Sequence, residues 1–75
     1  MSLDTSIRSA SSDVMRANGL LQAAQLKNLP DEEIDSRRKD LATAKIILHV
    51  HKARATSGPL ESEQVARIVD ACTAT

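Results

Sequence analysis

The segment LDTSIRSASSDVMRANGLLQAA, residues 3–24, decides how this chain is read. Within it Leu3, Ile7, Ala10, Val14, Ala17, Leu21 and Ala24 follow one another at alternating steps of four and three residues. That is the repeat of a helix packed along a seam against other helices. One register carries Ile7, Val14 and Leu21, the other Leu3, Ala10, Ala17 and Ala24. Large side chains facing alanines let two helix axes come close. Helix association is therefore the most concrete activity the sequence advertises, with Ile7, Ala10, Val14, Ala17, Leu21 and Ala24 as the candidate interface. The same six residues have a plainer role open to them, the internal core of the chain against Ile34, Leu41, Ala44 and Leu48. In a dimeric four-helix bundle both roles hold at once.

Outward from this segment the chain is punctuated clearly. Asp4, Thr5 or Ser6 can cap the first helix by accepting a bond from an unpaired amide. Asn18-Gly19 is a hairpin-turn signal, and a glycine inside a helix costs about 1 kcal/mol against alanine. The repeat nevertheless runs on to Leu21 and Ala24, which favours one helix over residues 4–29 with a soft centre. Asn28 falls on the next seam position, where a polar residue ends a seam or fixes its register. Leu29-Pro30-Asp31 then breaks the chain, because proline restricts the residue before it and cannot continue the helix.

Asp31 reads as the N-cap of a second helix over residues 31–55, with Glu32 and Glu33 in the first turn where the helix dipole favours negative charge. Glu33 to Arg37 and Asp35 to Lys39 are acid-before-base pairs four apart. Ile34, Leu41, Leu48 and Ala55 recur every seven residues, Ala44 and Ile47 widen the stripe, and Ile46 and Val50 lie off it. A helix apolar over so much of its circumference is built to lie between two neighbours. A strand through residues 45–51 has the right β-branched content but no second strand to pair with. Thr56-Ser57-Gly58-Pro59 is a stop. A short third helix over residues 60–71 follows, with Val65, Ile68, Val69 and Cys72 on one face and Glu63 placed to pair with Arg67.

Composition bounds what these helices can do. Seventy-five residues with no Phe, Tyr or Trp must build an aliphatic core from eight Leu, five Ile and four Val, helped by eleven Ala. A chain of this size buries only about 60 % of its unfolded surface, so its own core is marginal. Small domains make up the deficit with disulfides, metal or oligomerisation. A single cysteine, Cys72, leaves no internal disulfide, and oligomerisation is the favoured supplement. Ten basic and ten acidic residues give a formal net charge of zero. That balance, with no stacking rings, argues against a dedicated nucleic-acid binder. No apolar run approaches the length of a membrane span, the polar N-terminus has no signal-peptide pattern, and a lone cysteine suits a reducing compartment, so a cytoplasmic location is expected.

Three features invite chemistry. His49 and His51 are two apart, which puts them about 200° round a helix from each other. They could share a metal only on a strand or across a subunit interface, with Cys72 and Asp70 as further ligands, and the spacing matches no standard zinc pattern. The plainer reading has His51 flanking the apolar stripe and His49 in solvent. Arg37-Arg38-Lys39 is a short basic run, and Arg38, Lys45 and Lys52 repeat every seven residues as a basic line. This line supports an alternative function, a small nucleic-acid-associated regulator using Arg37, Arg38, Lys45 and Lys52. Its plainer reading is a solvated face balanced by Glu32, Glu33, Asp35 and Asp40. Cys72 lies on the apolar face of the third helix and reads as a small core residue. Nucleotide, flavin and phosphate-loop signatures are absent.

The sequence thus specifies an all-α protein: one small domain over residues 1–75, a long antiparallel helical hairpin plus a short third helix, forming a helical bundle by oligomerisation. The expected function is non-catalytic protein–protein interaction or assembly through coiled-coil-like packing, as adaptor, regulator or structural component. The expected partner is a second copy of the chain, another helical protein, or both. No cofactor, metal, membrane or small-molecule substrate is expected.

Overall fold

The computed structural model describes the backbone of residues 3–73 and the side chains of residues 5–73. The readings of Leu3 as a seam position and of Asp4 as a cap concern side chains outside that range. Three helices account for almost all of the described chain: α1 (Leu3–Leu26), α2 (Asp31–Ser57) and α3 (Ser62–Thr73). No strand occurs among the described residues, and the protein is all-α.

α1 runs unbroken through Asn18-Gly19, both exposed on its outer side. The turn signal is overridden because the buried positions continue on both sides of it, to Ala10 before and Ala24 after. α1 stops at Leu26, short of residue 29, and Asn28 is the cause. It takes the left-handed conformation, with φ of 54°. Its N–H donates to the Gln25 carbonyl at 3.2 Å, and the Leu29 N–H reaches back to the Ala24 carbonyl at 3.1 Å. These two bonds form a Schellman motif, which satisfies carbonyls the helix end would otherwise leave unpaired. Asn28 therefore terminates the helix instead of occupying a seam position.

At the start of α2 the capping residue is Pro30 rather than Asp31. Proline's restricted φ (−54°, with ψ of 149°) makes it the last extended residue, and its carbonyl accepts from the N–H groups of Glu33 at 2.9 Å and Ile34 at 3.1 Å. Asp31 becomes the first residue inside, joining Glu32 and Glu33 in an acidic first turn with no side-chain cap. Arg37 then meets Glu33 at 3.1 Å and Lys39 meets Asp35 at 3.1 Å, both four apart as read from the sequence. α2 continues to Ser57, past Ala55. The hydroxyls of Thr56 and Ser57 donate to the Lys52 and Ala53 carbonyls at 3.1 and 2.9 Å. Gly58, at φ of 86°, closes the end by donating its N–H to the Arg54 carbonyl at 2.8 Å.

The short connection over residues 27–30 turns α2 back along α1. Thr5, Ser6, Ser9 and Ala10 near the start of α1 share a groove with Ile47 and His51 of α2, so the hairpin is antiparallel. Apart from Val50, which lines the groove toward α3, the half-buried positions of α2 are Ile34, Arg37, Leu41, Ala44, Leu48 and His51, at alternating steps of three and four. They mirror the α1 seam. Ala10 and Asp13 of α1 share a groove with Asp40, Thr43, Ala44 and Ile47 of α2.

α3 does not complete a three-helix bundle. Among the described residues none of its Cα atoms comes within 8 Å of one in α1 or α2. The chain that precedes it turns outward at Gly58-Pro59. The Glu61 N–H then donates to Gln64 Oε1 at 3.0 Å, a capping arrangement that starts α3 at Ser62 rather than at residue 60. The molecule measures 42 × 31 × 14 Å.

Candidate interaction surface

The six seam residues of α1 all lie in the contact with α2. Ala10 and Ala24 are 3 % and 2 % exposed, and Ile7, Val14, Ala17 and Leu21 are half-buried. These two alanines are the only buried apolar residues among those described. Every large aliphatic side chain described is half-buried or exposed. The seam thus closes the hairpin with its small residues while its large ones keep an edge in solvent.

Two seam positions on α2 escape a reading based on apolar residues alone. Arg37 stands between Ile34 and Leu41, half-buried, with its head group drawn off to Glu33; the aliphatic stem of an arginine can cover apolar surface in this way. His51 takes the last seam position, whereas Ala55 is exposed. The His51 Nδ1 atom is shut off from solvent with no hydrogen-bond partner among the described residues. The three-and-four spacing from Ile34 pointed to both residues once long polar side chains are allowed on a seam.

α2 carries a second apolar face, as its composition requires. Ile46, Val50 and Ala53 line a groove of about 300 Å³ with His49, closed on the far side by Leu60 and Ile68. The groove wall is almost wholly apolar. Ile68 and Leu60 are half-buried there, but the rest of the α3 face stays open. Val65 is 46 % and Val69 52 % exposed, and the Cys72 thiol is exposed too. The expectation that Cys72 is a core residue fails because no described residue covers that face. The charged residues of α3 lie on its opposite side, where Arg67 Nη2 donates to Glu63 Oε1 at 2.7 Å.

The polar candidates disperse. His51 faces the α1–α2 groove and His49 the α2–α3 groove, the separation that two steps along a helix dictate. No group of three or more His, Cys, Asp or Glu side chains gathers among the described residues. Of the basic run, Arg37 is held by Glu33 and Lys39 by Asp35. Arg38, Lys45 and Lys52 are exposed and make no ion pair among the described residues. Asp13 and Asp40 rim a smaller groove, about 160 Å³, floored by Ala10 and Ala44. No described helix is long and apolar enough to cross a membrane.

Comparison with protein families, curated proteins and solved structures finds no match to this chain.

Proposed function

We propose that this chain is a cytosolic, non-catalytic association protein, an adaptor, regulator or structural component that works by helix–helix packing with itself or with another helical protein. One observation carries the reading: the described chain has no large buried side chain, and its only buried apolar residues are two alanines. Burying a Leu, Ile or Val fully is worth about 1.5–3 kcal/mol, and here that gain is realised only in part at every such position described. A partner helix supplies it. In this reading Ile7, Ala10, Val14, Ala17, Leu21 and Ala24 hold the hairpin shut and offer their solvent-facing edges to the next helix. Substituting Ala17→Leu forces the close-packed axes apart, and we expect both a changed assembly mass and a lowered stability. Sedimentation equilibrium with interference optics reads the mass, since a chain without Trp or Tyr absorbs almost nothing at 280 nm. Unchanged mass and stability would contradict the seam's role.

A second reading rests on Arg38, Lys45 and Lys52, spaced about 10 Å apart along one side of α2 and unpaired. Bound to a phosphate backbone, these three cations give an affinity falling with salt at a log–log slope of about −2 to −3. Reversing charge at Arg38 and Lys45 abolishes that binding; binding that ignores salt contradicts this reading.

A further inference from the structure

We infer that the partner is a second copy of the chain, and that it covers the face shared by α2 and α3. This inference rests on the association reading and narrows it to one surface and one occupant. A compact monomer of 8.1 kDa exposes about 4,500 Å² by the scaling of surface with mass. This chain exposes 5856 Å². The excess is about 1,400 Å² per chain, where a stable dimer needs only about 800 Å² from each partner. The radius of gyration agrees: 14.7 Å, against about 11 Å for a compact fold of this length.

The unpacked helix says what kind of partner fits. Domains are built from two packed layers of secondary structure, and among the described residues nothing packs on the outer face of α3. A second copy laid against that face creates the missing core. The open face lies at α3, whose Val65 and Val69 form an exposed ridge one helical turn long. Beside it runs the apolar groove between Ile46, Val50 and Ala53 of α2 and Ile68 of α3. Ridge and groove on one chain are complementary to groove and ridge on a copy turned by a two-fold axis. Each α3 then seats its valines between α2 and α3 of the other chain, and α2, α3 and their mates become a four-helix bundle.

The charges permit this pairing. The net charge is zero, so two copies do not repel as wholes. Glu63 and Arg67 lie on the far side of α3 from the ridge and neutralise each other there, Arg67 Nη2 donating to Glu63 Oε1 at 2.7 Å.

The test is light scattering and sedimentation on the whole chain and on three variants. Val69→Glu and Val65→Gln change side chains that are exposed in the single chain, so the hairpin is untouched. Met15→Glu alters the outer side of α1, where Met15 is 75 % exposed. The expected result is twice the 8.1 kDa mass for the unaltered chain and for Met15→Glu. Val69→Glu gives a single-chain mass with an unchanged helical circular-dichroism spectrum, its dissociation constant raised by about 100-fold or more because a carboxylate replaces a buried methyl. Val65→Gln weakens the dimer less. A dimer that survives Val69→Glu but is lost on Ala17→Leu overturns this surface and leaves association through helices standing. A single-chain mass at every concentration overturns the second copy as partner, and a high stability of that monomer removes the association reading with it.

Discussion

A ring nitrogen shut off from solvent without a hydrogen-bond partner among the described residues works against folding. His51 Nδ1 is in that position, and a buried unsatisfied polar atom costs about 1–3 kcal/mol. Replacing the ring with an aliphatic side chain of similar bulk removes the cost, so His51→Leu should raise the urea unfolding free energy by about 1 kcal/mol. A loss of stability would mean the nitrogen has a partner in solution. The two glycines behave oppositely. Gly19 sits in the exposed middle of α1, where an added Cβ meets nothing within 4 Å, and Gly19→Ala should stabilise by about 0.5–1 kcal/mol. Gly58 holds φ of +86°, so Gly58→Ala should destabilise by about 1 kcal/mol or more despite equally open space. Equal effects at both positions would contradict the backbone assignment. Residue identity announced the Gly58 turn, since glycine followed by proline has one common meaning at a helix end. It could not announce the His51 nitrogen, because the burial of one ring atom depends on the register of a second helix.

The hairpin was legible at the level of elements because its signals are local. Alternating steps of three and four define the seam, and Glu33 with Arg37, Asp35 with Lys39 and Glu63 with Arg67 stand four apart as helical pairs do. Terminal residues were less legible. Asn28 and Pro30 each had two meanings, and hydrogen bonding to backbone groups several residues away decided between them. The placement of α3 could not be read at all. Its apolar stripe says that something must cover it, while the direction taken at Gly58-Pro59 determines that α2 reaches it only at the groove edge. The elements should differ in stability accordingly. Ala10→Leu and Ala24→Leu overfill the two closed points of the α1–α2 contact and should each cost about 1–3 kcal/mol. Hydrogen exchange in dilute solution should show α3 amides exchanging before those of α1 and α2, and gaining protection as the chain is concentrated. Protection of α3 that is high and insensitive to dilution would contradict an α3 held only by its mate.

As a whole the molecule is a closed hairpin with a third helix that stands apart from it. Its extended outline, with a radius of gyration of 14.7 Å, explains why so many of its aliphatic side chains remain in contact with water. Composition had pointed in this direction, since a neutral chain of this length with one cysteine has few other means of support. On the proposed dimer, the second copy adds to the stability of a hairpin that is already helical, so stability rises with chain concentration. The most direct measurement is therefore thermal unfolding followed at 222 nm over a thousandfold range of chain concentration. A Tm that climbs steadily with concentration is the result expected of a fold completed by association. A Tm that stays fixed, with full helicity at the lowest concentration, would show a chain that holds its structure alone.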